Sequence, residues 1–226
     1  MRIAIYGGSF NPIHVGHLSL ADDVATTLNY DKILFVPTFI PPHKQLSASV
    51  SPMSRMAMLE SAIAGNDKFE IEPCEFQRGG ISYTIDTVKF LMKKYKGKLE
   101  GKFGLILGQE IAAEFEKWKD PDGVAELCDI IIAKRRILGE RRSIDFNMPR
   151  GEYVGGVNAR GNFMDVGDSF KWPHVLFDNF IVPVSSSEVR ARIASGKGWR
   201  YLVPLAVYEY IVSNRLYGYK QEKRFD

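Results

Sequence analysis

Cysteine is nearly missing from this chain of 226 residues: Cys74 and Cys128 are the only two, and they form no CxxC pair. That argues against a disulfide framework and against a structural zinc site, and it fits a reducing compartment. A surplus of charge is missing as well. Lys and Arg number 30 against 27 Asp and Glu, a net charge of +3, so no broad field draws the chain to nucleic acid or to a membrane surface. No apolar run approaches the roughly 18 residues of a membrane span. The N-terminal run ends at Tyr6 against a glycine pair, too soon for the core of a signal peptide. The expectation is a cytoplasmic protein without nucleic-acid or membrane partners. Neither a GxGxxG fingerprint nor a P-loop lysine is present, which removes the Rossmann dehydrogenase and P-loop kinase readings. No Ser-His-Asp or Cys-His arrangement can be made out.

What is there begins at once. The short apolar run Arg2-Ile-Ala-Ile-Tyr6 leads into Gly7-Gly-Ser-Phe-Asn-Pro-Ile-His14-Val-Gly-His17, a sequence that reads as strand, tight loop and helix start. Gly7, Gly8, Ser9, Phe10 and Gly16 belong to this loop and first turn. The glycines allow backbone N–H groups close to a ligand, and the helix start adds unsatisfied donors and the positive end of a dipole. An anion site is the natural product. His14 and His17 stand about one turn apart and can both donate from one face. Such a pair elsewhere would more often face solvent or, on occasion, bind a metal.

Helical spacing of Leu18, Ala21, Ala25 and Leu28 predicts a helix from His14 to Leu28, and Lys32 to Val36 reads as a buried strand. Strand, helix and strand at this spacing make a right-handed βαβ unit, the building block of parallel sheets with ligands at the carboxyl ends of the strands. The fold class is therefore α/β: a Rossmann-like, doubly wound parallel sheet with helices on both faces. One domain over residues 1–226 is expected. A serine-rich loop is expected from Leu46 to Ser54, and helices around Met56 to Ile63 and from Tyr83 to Tyr95. Further strands are expected at Phe69 to Glu72, Phe103 to Leu107, Asp129 to Ala133 and Val175 to Val182. A helix from Ile111 to Lys117 should carry Trp118 at its end. Residues 139–171 have no sustained period and read as an insertion. In a small helical part over residues 184–226, Ser185 to Ser187 offer caps to a helix from Glu188 to Ala194. Leu205, Tyr208, Val212 and Leu216 mark the last helix. Gly108 repeats the strand-then-glycine pattern of the N-terminus, which puts Glu110 on the ligand side of the sheet.

Together, Gly7 to His17 and Ser185-Ser-Ser-Glu-Val-Arg190 resemble the HxGH and SSTxxR-type signatures of the nucleotidylyltransferase superfamily. Within it the chain resembles the bacterial nicotinate mononucleotide adenylyltransferases. Supporting stretches are Pro41-Pro-His-Lys44, Ser82-Tyr-Thr-Ile-Asp-Thr87, Leu107-Gly-Gln-Glu110 with Trp118, and Asp129 to Arg135, in the family's order. Three positions depart from the family pattern: Ser187 for Thr, Glu110 for Asp, and Asn11 for Asp.

The resemblance implies transfer of AMP from MgATP to nicotinate mononucleotide, with release of pyrophosphate, as a step in NAD biosynthesis. Mg2+ would arrive on the ATP phosphates, with no metal ligands from the protein. His14, His17, Lys44 and Arg190 are the implied catalytic residues. Gly7, Gly8, Ser9, Phe10, Gly16, Gly108, Glu110, Ser186 and Ser187 would bind ATP, and Thr84, Trp118, Lys119 and Arg135 the acceptor. Plainer readings stand beside these: a solvated loop lysine at 44, an ordinary cap and surface Arg at 185–190, and a core Trp118. ATP and nicotinate mononucleotide are the expected partners, and a homo-oligomer is compatible with the sequence. The rivals are a sister transferase acting on nicotinamide mononucleotide or phosphopantetheine, and a nucleotide sensor without turnover.

Overall fold

The structure, a computed structural model, describes residues 1–42, 50–134 and 169–220. Its frame is one six-stranded, all-parallel sheet in the order β3-β2-β1-β4-β5-β6. The strands are β1 (Ile3–Gly8), β2 (Lys32–Pro37), β3 (Phe69–Ile71), β4 (Phe103–Gly108), β5 (Cys128–Ala133) and β6 (His174–Phe177). Four central strands are apolar almost throughout, as a sheet covered on both faces requires. Their residues alternate between two cores. Ala4, Ile33, Phe35, Ile106 and Ile131 face one side; Ile3, Ile5, Leu34, Leu105, Ile130 and Ile132 face the other. Each such large buried side chain contributes about 1.5–3 kcal/mol.

Eight α-helices cover these faces among the described residues. Those that contribute buried residues to the first core are α1 (Val15–Thr27), α2 (Pro52–Ile63), α7 (Ser186–Ala194) and α8 (Leu205–Ser213). The second core receives α3 (Cys74–Arg78), α4 (Thr84–Lys94), α5 (Gln109–Ala112) and α6 (Pro121–Leu127). The doubly wound expectation is met. In this strand order the chain reverses direction between β1 and β4, where a crevice forms outside the carboxyl ends. The β1–β2 ladder runs through all six residues of each strand, whereas β1 and β4 pair only at Ala4↔Gly104 and Ile5↔Leu105. The same register carried forward brings Gly8 abreast of Gly108, at the mouth of that crevice.

Several expected boundaries change. The serine-rich stretch is loop only in part: residues 43–49 lie outside the described residues, and Ser51 caps α2, its side chain accepting from the Ser54 N–H at 3.0 Å, with Pro52 in the first turn. The helix expected over 111–117 is broken. Ile111 is 42% exposed and Phe115 is fully buried, yet positions i and i+4 share a face on an unbroken helix. A 3-10 turn at Phe115–Lys117 rotates Phe115 inward, under Trp118 and Trp172.

β6 stops at Phe177 instead of running to Val182, because the chain leaves the sheet for α1, where the Phe180 N–H donates to Asp23 Oδ2 at 2.9 Å. The inner stripe of α8 is Val207 and Ile211, while Leu205 is exposed and Tyr208 and Val212 are only partly buried. Of the expected insertion, residues 139–168 lie outside the described residues. Phe170 and Trp172, just after them, pack on Phe115.

Candidate active site

β1 is longer than expected and includes both glycines. A Cβ on Gly7 would meet nothing within 4 Å, and the same holds for Gly108, so both strand ends border open space. After Gly8 the chain turns through Phe10, which takes φ 43°, a left-handed backbone that non-glycine residues rarely adopt. The strain is held by packing: the Phe10 ring is 1% exposed and lies against Tyr6, Phe35 and the edge of His17.

His14 is the N-cap of α1 and His17 its third residue. Their rings stack at 3.6 Å between centroids, 25° apart. His14 is buried and its backbone N–H donates to His17 Nδ1 at 3.3 Å. With Nδ1 accepting, the neutral ring of His17 carries its proton on Nε2, a donor on the far edge of the ring. Gly16 between them is a matter of space: a Cβ there would come within 3.0 Å of Val184 and 3.2 Å of the His14 ring.

α7 starts at Ser186, earlier than expected, with Ser185 as its cap accepting from the Glu188 N–H at 3.1 Å. The two signatures, distant in sequence, are in direct contact. Ser186 Oγ donates to the Pro12 carbonyl at 2.8 Å, and Arg190 Nη1 donates to the Asn11 carbonyl at 2.6 Å. Arg190 Nη2 donates to Ser187 Oγ at 3.1 Å. The α7 motif thus shapes the first loop as well as standing beside it.

Of the residues expected around the acceptor, Lys119 meets the start of α4, where Thr84 lies. Thr84 opens α4 after the cap residue Tyr83. Lys119 Nζ lies 4.6 Å from the centre of the Tyr83 ring and 3.0 Å from Asp86 Oδ2, which ties the segment after Trp118 to the first turn of α4. Trp118 is half-buried, with its ring 4.9 Å from that of Phe115, a position between core and platform. Glu110 is exposed in the first turn of α5. Lys44 and Arg135 lie outside the described residues.

Two residues of the site region, Tyr217 and Arg55, escaped the sequence reading, as did the bond made by Ser82, which belongs to a stretch already singled out. Tyr217, in a 3-10 turn near the C-terminus, donates its hydroxyl to Asn11 Oδ1 at 2.6 Å. Burial pushes its pKa up, against the opposing pull of Arg190 and Arg55, so the phenol remains a donor. Arg55, on the core face of α2, donates to the carbonyls of Ser9, Thr38 and Phe39. Burial lowers its pKa, but a guanidinium stays charged at neutral pH. Ser82 Oγ accepts from the Phe39 N–H at 3.1 Å. A cation at the core-facing position beside Met58 and Leu59 was the one legible signal.

Comparison with known proteins agrees with this geometry. The cytidylyltransferase-like family model matches residues 5–192. A Borreliella afzelii protein named "Probable nicotinate-nucleotide adenylyltransferase" is 40% identical over 217 residues, covering 96% of this chain and 97% of its own. A Treponema pallidum protein of the same name is 39% identical, covering 96% and 99%. Among solved structures, Plasmodium falciparum nicotinic acid mononucleotide adenylyltransferase complexed with NaAD superposes with a TM-score of 0.69 at 19% identity, covering 98% of this chain and 99% of that one. That likeness is one of fold. The strand order, the joined HxGH and Ser-Ser-Ser-x-x-Arg motifs and the end-to-end match to these relatives lead to one conclusion: the chain belongs to the cytidylyltransferase-like family, among its nicotinate-nucleotide adenylyltransferases.

Proposed function

We propose that the protein transfers AMP from MgATP to nicotinate mononucleotide, giving nicotinate adenine dinucleotide and pyrophosphate. The observation that carries this reading is the stacked His14–His17 pair beyond the carboxyl end of β1, on a loop tied to α7 through Ser186 and Arg190. In the reaction an oxygen of the acceptor phosphate attacks the α-phosphorus of ATP, and the bond from that phosphorus to the β-bridging oxygen breaks. The acceptor is already an anion, so no side chain has to remove a proton. What the protein supplies is alignment and positive charge where charge shifts.

His14 is assigned to the α-phosphate region and His17, with Nε2–H as donor, to the β-phosphate. Arg190 is assigned to the β- and γ-phosphates, with Ser186, Ser187 and the N–H groups of the α7 start beside it. Lys44 is assigned to the phosphates. Gly7, Gly8, Ser9, Phe10, Gly16, Gly108 and Glu110 complete the ATP half. Trp118 offers a face to the pyridinium ring, and Thr84, Lys119 and Arg135 offer the acceptor donors and positive charge. Lys119 is already placed beside the α4 start by Asp86 and Tyr83.

Transfer from ATP calls for a divalent cation, which we assign as Mg2+ arriving on the triphosphate as part of the substrate. Among the described residues no group of three or more His, Cys, Asp or Glu is placed to hold a metal ion. The donors that are present, imidazole, guanidinium, hydroxyl and backbone N–H, suit phosphate oxygens. No helix among the described residues is long and apolar enough to cross a membrane, and we place the activity in the cytoplasm.

The deciding experiment measures pyrophosphate release from MgATP with nicotinate mononucleotide, nicotinamide mononucleotide or phosphopantetheine as acceptor. Nicotinate mononucleotide should be preferred clearly over both. Equal or faster turnover of phosphopantetheine would overturn the acceptor assignment.

A further inference from the structure

Arg55 is the fourth residue of α2 and is only 1% exposed. A guanidinium taken so far from water needs partners for its donors or an anion nearby. It has three carbonyls: Nη1 donates to Ser9 O at 2.8 Å and to Thr38 O at 2.7 Å, and Nη2 donates to Phe39 O at 3.3 Å. Phe76 lies 5.3 Å from its central carbon. Among the described residues no carboxylate pairs with it, so neutral acceptors leave its charge in place.

The positions of those carbonyls matter more than their number. Ser9 belongs to the loop after β1, while Thr38 and Phe39 follow β2. One buried cation therefore fastens the ends of two adjacent strands. The β2 loop is fastened on its other side too: the Phe39 N–H donates to Ser82 Oγ at 3.1 Å, and the Ser82 N–H donates to the Ile40 carbonyl at 2.9 Å. Ser82 stands two residues before Thr84. A continuous chain of hydrogen bonds runs from Ser9 through Arg55 and Phe39 to Ser82, linking the loop assigned to ATP with the loop assigned to the acceptor.

We propose that Arg55 is a positioning residue that couples the two halves of the site, so that a change on the acceptor side at Ser82 is felt in ATP binding. The inference rests on the assignment of the two halves given above. The planar guanidinium suits the task because its donors diverge in fixed directions toward separate carbonyls, which a single ammonium cannot reproduce.

The test is the affinity of a non-hydrolysable ATP analogue with Mg2+, measured by calorimetry for the wild type, Ser82→Ala, Arg55→Lys and the double variant, with circular dichroism as the check of fold. Arg55→Lys should weaken the analogue by about tenfold. Ser82→Ala should weaken it by about threefold where Arg55 is present and add nothing to Arg55→Lys, the non-additivity expected of residues on one path. An affinity unaffected by Ser82→Ala, or the same loss in both backgrounds, overturns the coupling. Should Arg55→Lys fail to fold, Ser82→Ala alone decides, since it removes one hydroxyl. No acceptor is present in this measurement, so failure to use nicotinate mononucleotide would sink the proposed reaction without touching this result.

Discussion

Gly16 and Val184 meet with little room for a methyl group: a Cβ on Gly16 would stand 3.0 Å from Val184 Cγ1 and 3.2 Å from His14 Cε1 and Nδ1. An exposed helical glycine would gain about 1 kcal/mol on replacement by alanine. Here the expected sign is reversed. Gly16→Ala should lower the melting temperature and cut pyrophosphate release at least about tenfold, because the methyl pushes both on the His14 ring and on the segment leading to α7. Adding Val184→Ala should recover part of the loss, and no recovery would show that the His14 contact alone matters.

His17 has two separable duties, acceptor for the His14 N–H and donor from Nε2. His17→Asn keeps an acceptor near the Nδ1 position and loses the distal donor. It should retain the wild-type melting temperature and lose activity by a factor on the order of 10², the usual consequence of removing one transition-state donor. Full activity in a folded His17→Asn protein would take the ring out of the reaction.

The Tyr217 hydroxyl can be removed without changing the shape of the side chain. Tyr217→Phe leaves the buried Asn11 Oδ1 without its donor, a loss of about 1–3 kcal/mol. Urea unfolding should show that loss, and the KM for ATP should rise while kcat changes little. An unchanged KM would mean that Tyr217 stabilises the fold without shaping the loop.

Much of this could be read from the sequence. Strongly patterned strands such as Phe103–Gly108 and the tight grammar of Gly7 to His17 act through near neighbours, and they appeared where expected. Contacts formed only by closure of the chain did not. Arg55, Ser82 and Tyr217 reach the site through backbone carbonyls, an N–H and an amide, partners that carry no residue signature. The same limit explains the broken helix after β4, where the demand of one ring, Phe115, for the core outweighs local periodicity. Ser186 was read as a cap and is instead the first helical residue, its hydroxyl spent on Pro12.

Stability should fall on the alkaline side. Burial pushes the thiols of Cys74 and Cys128 up to about 12, with neighbouring acidic groups adding to it. A thiol ionises near pH 8.5–9 in the unfolded chain, so the unfolded state releases protons that the folded state keeps. The contribution of these groups is complete below about pH 9 and is lost progressively as pH rises toward 12. Urea unfolding between about pH 8 and 11 should show a declining free energy, and Cys128→Ala should flatten the decline. A flat profile in the parent protein would contradict the buried, protonated thiols.

The bond between Tyr217 and Asn11 also sets an order of events during synthesis. Its partners are 206 positions apart, which at about 5–20 residues per second leaves roughly 10–40 s between their emergence from the ribosome's active centre. Through that interval the first loop exists without its last fastening. Ser186 and Arg190, which hold the neighbouring carbonyls, also come late. The nucleotide-binding end of the molecule is thus started first and finished last, and a growing chain cannot form the complete site until its closing turn has been made.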